Sequence, residues 1–184
     1  MQTNALLALA CAAALAGCDY DVPLAEQPEQ ALDKALVGAW VRTKPEGKTE
    51  ERLLVLPLGK NEYLVSYPAN SPHAMFARAC LCNAAGLPLV QFTWFGTAEG
   101  TTFDDTCVYQ FASCTVTGDT LKGRLLNADV VDREAASPAA LALAIEANKQ
   151  NVHLFREEMV FTKVEPPANS DAPRKRPPIP DAWR

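Results

Sequence analysis

Few side chains in this chain are of a kind that does chemistry. There are six cysteines, at 11, 18, 80, 82, 107 and 114, and two histidines, His73 and His153. Two carboxylate pairs stand out, Asp104-Asp105 in a glycine-bearing loop and Glu157-Glu158 ahead of an apolar stretch. Adjacent carboxylates on extended backbone point to opposite sides, so neither pair forms a ready acid and base. A His-Asp-Ser site from His73 with Asp104 or Asp105 has no supporting spacing, and calcium held by these and Glu99 is only a weak match. Cys80, Cys82 and two further thiols, or His73, suggest zinc or copper, but the spacing is not that of a zinc ribbon or knuckle. No Gly-x-Ser-x-Gly, His-Glu-x-x-His, phosphate loop or dinucleotide glycine pattern occurs. The expectation is therefore no enzyme, no cofactor and no metal. A net charge of −5 argues against a nucleic-acid partner.

The elements that would carry these residues are mostly strands. Residues 28–37 read as a short helix, with Pro28 at its start and Gly38 at its stop. Strands follow over 39–44, 50–58, 62–67, 75–83, 87–95, 106–116 and 120–126. Gly59-Lys60-Asn61, Ala84-Ala85-Gly86 and Thr117-Gly118-Asp119 mark tight reversals. At Ser137-Pro138 the period changes. A cap followed by proline opens a helix over 139–149, with Leu141, Ile145 and the later Leu154 facing the core. A last strand covers 156–164. Eight short strands at hairpin spacing suggest a closed barrel or a sandwich around a core tryptophan. The last twenty residues hold six prolines with four basic and three acidic groups, so 165–184 reads as a Pro-rich flexible tail.

Residues 5–16, ALLALACAAALA, form an uncharged apolar run of signal-peptide length, shorter than a membrane span. Leu15-Ala16-Gly17-Cys18 follows and resembles the lipobox of bacterial lipoproteins. The resemblance implies a signal peptide over 1–17, cleavage before Cys18, and acyl chains on Cys18 that anchor the protein in a membrane. Residues 18–27 would then be a lipidated tether and 28–164 the folded domain, in the cell envelope and facing the periplasm. Asp19 resembles an inner-membrane retention signal, with the outer membrane as the alternative. Export leaves Cys80, Cys82, Cys107 and Cys114, an even number where disulfides persist. Cys80 and Cys82 share one strand face and suit each other poorly, so each is expected to bond one of Cys107 and Cys114, at about 2–4 kcal/mol per bridge.

The order of elements, with Gly38-Ala39-Trp40 opening the first strand, resembles the lipocalin or calycin group. That resemblance implies an eight-stranded antiparallel barrel with a short N-terminal helix and one helix before the last strand. It also implies Trp40 at the closed end beneath a cation, Arg124 or Arg156. Alternation pairs Phe92 with Trp94 and Tyr109 with Phe111. Together with Trp40 and Tyr63 these are the candidate lining of an apolar pocket. Two functions compete. One is an envelope protein binding an apolar molecule or lipid in the barrel. The other is a filled barrel that recruits an envelope protein partner through its surface or tail.

Overall fold

The structure, a computed structural model, describes residues 20–43, 50–102 and 108–164. Eight strands form a closed antiparallel barrel in simple sequence order: β1 (Gly38–Thr43), β2 (Glu50–Leu58), β3 (Glu62–Tyr67), β4 (Met75–Ala84), β5 (Leu87–Thr97), β6 (Tyr109–Thr117), β7 (Thr120–Leu125) and β8 (Met159–Lys163). β8 returns to β1 through Trp40↔Lys163 and Val41↔Thr162, so no strand edge runs exposed along the sheet. The one α-helix among the described residues, α1 (Pro138–Ala147), lies between β7 and β8. Ser137 caps it by accepting the Ala140 N–H at 3.2 Å, and Pro138 occupies its first turn, where no backbone donor is needed.

The turns follow their residues. Ala85 and Gly86 both take positive φ, 56° and 73°, the mirror-image geometry that matches strand twist in a two-residue hairpin. The first helix is shorter than the sequence suggests. Only Lys34–Leu36 turns, as a 3-10 helix capped by Asp33, because the preceding backbone is already committed elsewhere: Leu32 N–H donates to the Lys60 carbonyl. The last strand begins at Met159 rather than 156, since Arg156 N–H is engaged with the Leu125 carbonyl in the approach to it.

Two apolar cores lie on opposite sides of the barrel wall. The inner one gathers Trp40, Val55, Tyr63, Val65, Ala77, Ala79, Val90, Trp94, Leu121 and Phe161. The outer one is built by α1 and the N-terminal segment against β4, β5 and β6. It contains Tyr20, Cys82, Leu89, Phe111, Leu141, Ile145 and Leu154. Truncating a fully buried Leu141 or Ile145 to alanine costs about 2–5 kcal/mol in such settings. The packed structure also begins earlier than residue 28. Tyr20 is wholly buried and exchanges both backbone hydrogen bonds with Tyr109 at 3.1 Å. From there residues 20–28 cross the outside of the wall as a strap. Gln91 holds it with three hydrogen bonds, accepting from Leu24 and Ala25 and donating to the Ala25 carbonyl.

Candidate functional site

One end of the barrel is closed from within. Leu36 plugs it, Trp40 donates its indole N–H to the Leu36 carbonyl at 3.0 Å, and the Tyr63 hydroxyl accepts from Asp33 N–H at 2.7 Å while donating to the Asp33 carbonyl at 3.1 Å. A cation does lie over Trp40, but it is Lys163, 5.0 Å from the ring centre. Lys163 is the cross-strand neighbour of Trp40 and points inward with it. Arg124 instead stands over Phe155 and donates to the Phe155 and Arg156 carbonyls, on the other side of the wall.

The six expected lining residues divide between the two cores. Trp40, Tyr63, Phe92 and Trp94 face the lumen. Tyr109 and Phe111 do pair on one face, but it is the outer one: Phe111 packs against Tyr20 with ring centres 5.2 Å apart, in the core under the strap and α1. The register decides this. Phe92 stands opposite Gln110 on β6, not Tyr109 or Phe111, so the inward set on β6 is Gln110, Ala112, Cys114 and Val116.

The inner wall of the lumen is unevenly covered. Leu53, Leu81, Phe92, Cys114 and Met159 point into the closed barrel yet are only half-buried. A side chain turned inward and still uncovered borders a gap rather than a packed neighbour. Small residues stand on the same inner wall: Ala77 and Ala79 on β4, Ala112 on β6 and Gly123 on β7. A Cβ placed on Gly123 meets only the Cys114 sulfur, at 4.0 Å. The Cys114 thiol lies deep in this apolar lumen, and burial alone pushes its pKa up to about 12.

Toward the opposite end the lumen turns polar. Arg42 alternates with Trp40 on β1, and Glu51 alternates with Leu53 and Val55 on β2; the β1–β2 register sets Arg42 directly across from Glu51. The guanidinium donates to one Glu51 oxygen through Nε at 2.8 Å and Nη2 at 2.7 Å, and the Tyr67 hydroxyl donates to that same oxygen. Glu51 is 4% exposed. Arg42 also lies over the rings of Tyr67 and Phe161, at 5.8 and 5.5 Å. Burial, then the Glu51 hydrogen bond, raises the Tyr67 pKa, so its hydroxyl remains a proton donor. This triad was not found from the sequence, although two charged residues interrupting the inward positions of neighbouring strands were its signal.

The remaining sequence candidates fall elsewhere. Cys80, Cys82 and Cys114 are free thiols, contrary to the two expected bridges. Cys80 and Cys82 point outward beneath the strap and α1, whereas Cys114 points inward, so the wall separates them. Cys107, Cys18, Asp104, Asp105 and the tail 165–184 lie outside the described residues. His73 pairs with Glu99 across two exposed loops. Among the described residues no three His, Cys, Asp or Glu side chains converge as a metal site, and no helix is long and apolar enough to cross a membrane. A half-open cleft of about 300 Å³ lies under the strap, lined by Glu62, Arg78, Cys80, Gln91, Thr93 and Tyr109. Glu62 and Arg78 bond one another across it at 2.9 Å.

Compared with protein-family models, with curated proteins and with solved structures, the chain matches none.

Proposed function

We propose that the chain is a lipid-anchored cell-envelope protein that holds an apolar small molecule inside its barrel. The observation that carries the binding reading is the uncovered inner surface at Phe92, Cys114 and Leu53, opposite a glycine whose missing side chain leaves room. An eight-stranded barrel has an interior sized for packed side chains or one small ligand, and here the side chains leave part of it unfilled. The anchor reading is supported by the LAGC sequence at 15–18 and by the position of Tyr20. The packed wall begins two residues after Cys18, so acyl chains there would hold the barrel close against its membrane, with Asp19 favouring the inner one.

Native mass spectrometry of the full chain, released from membranes in mild detergent, tests both parts. The account expects a mass lacking residues 1–17 and carrying acyl groups lost in Cys18→Ser, together with a small apolar adduct that dissociates on activation. An unclipped, unmodified chain removes the anchor, and an adduct-free protein that takes up no apolar dye removes the ligand.

A second reading rests on a separate observation. The outer face of β8, β1 and β2 lacks the cover that α1 and the strap give the other side, leaving Leu56, Leu58, Val160 and Val164 exposed at 37–47%. An envelope protein partner would bind there. Crosslinking in cells should then recover one protein whose capture is lost in Leu56→Lys.

A further inference from the structure

We infer that the lumen selects uncharged ligands, long-chain alcohols, esters or ketones, and discriminates against carboxylic acids. This rests on the binding reading above and adds the chemical class. Three charged side chains point inward among the described residues: Arg42, Glu51 and Lys163. Lys163 runs to the closed end, where it covers the Trp40 ring and abuts Gly38. Among the described residues the polar end of the lumen is set by Arg42 and Glu51, and the charges of these two cancel.

The cancellation is local and buried. Two guanidinium N–H groups and the Tyr67 hydroxyl converge on one oxygen of a carboxylate that is 4% exposed. A guanidinium has five N–H donors, so Glu51 does not exhaust Arg42. A ligand lying along Phe92, Leu53 and Cys114 can offer an uncharged oxygen to a remaining donor without disturbing the pair. A ligand carboxylate in that place would bring a second anion next to Glu51 in a low-dielectric interior, where like charges suppress one another. Its own desolvation would add to the penalty, with no unneutralised cation beside it among the described residues, since Lys163 is committed to the Trp40 ring at the closed end. The rings of Tyr67 and Phe161 flank Arg42 and fix the guanidinium, so it cannot swing away from Glu51 to serve an anionic ligand without losing both ring contacts.

The test uses the full chain at pH 8 with three probes of one chain length: lauryl alcohol, methyl laurate and lauric acid. Affinity is read from displacement of the uncharged dye N-phenylnaphthylamine. The alcohol and the ester are expected to bind at least tenfold more tightly than the acid. In Glu51→Gln, which keeps an oxygen for Arg42 and Tyr67 but removes the charge, the acid should gain at least tenfold while the alcohol changes little. Should that variant not fold, the comparison of the three probes on the unaltered chain decides alone. An acid that binds as tightly as the alcohol overturns this inference and leaves the binding reading standing. Failure of the dye and all three probes to bind overturns the binding reading itself.

Discussion

Gly123→Ala should stabilise the protein. Gly123 faces the lumen from β7, opposite Cys114, with ordinary negative-φ backbone, and an added methyl group would touch only the Cys114 sulfur, at 4.0 Å. The methyl group would occupy existing space, so its burial contributes about 0.8 kcal/mol. Replacing glycine within a strand removes unfolded-state freedom for another ~0.5–1 kcal/mol. The sum, about 1–2 kcal/mol, corresponds to a rise in Tm of roughly 3–6 °C for a domain of this size. Urea unfolding and thermal melts followed by circular dichroism measure it. A loss of 1 kcal/mol or more would be the signature of overpacking, and it would refute the reasoning that the lumen is open at this level.

Alkali should unfold the protein earlier than its carboxylates and amines dictate. Burial raises both Cys82 and Cys114 to about 12 from a reference of 9.0. Their folded pKa lies above the unfolded one, so the native state keeps its protons longer; stability is intact below pH 9 and falls as pH rises toward 12. At pH 10 each thiol costs on the order of 1 kcal/mol, and a Cys82→Ala, Cys114→Ala double variant should lose less stability between pH 8 and 10 than the parent does. Gln91→Leu removes three hydrogen bonds to the strap and leaves Leu24 and Ala25 without their acceptor. It should cost about 1–3 kcal/mol and make residues 20–28 exchange amide hydrogens faster, whereas unchanged exchange there would mean that Tyr20, the Asn61 bond to the Pro28 carbonyl and the apolar contacts hold the strap without Gln91.

Much of the barrel was legible because its punctuation is local. Ala85-Gly86, Gly118 and Ser137-Pro138 each fix a turn or a cap through their own backbone preferences, and the strands between them follow. The spread of lining residues was legible only as pairs. Period-two alternation puts Tyr109 with Phe111 and Phe92 with Trp94, but both faces of β5 and β6 are covered, one by the lumen and one by the strap and α1. With apolar residues on both sides, alternation cannot say which side is inside. That needed the β5–β6 register. The same blindness misplaced the bridges: Cys80 and Cys82 were rightly grouped on one face, and Cys114 sits on the other. The strap was missed because a short polar and prolyl stretch reads as a tether; its attachment depends on Gln91, 67 residues beyond Leu24 in the chain, and on a buried tyrosine. The Arg42–Glu51–Tyr67 triad likewise exists only once three strands are in register.

The account stands on open space within the barrel. A crystal of the protein pressurised with xenon probes that space directly, since the gas enters apolar cavities and shows as strong density. Xenon bound inside the barrel between Phe92, Cys114, Gly123 and Met159 is the predicted result. A lumen that takes up no xenon, with Cys114 and Phe92 closed over by their neighbours, would contradict it.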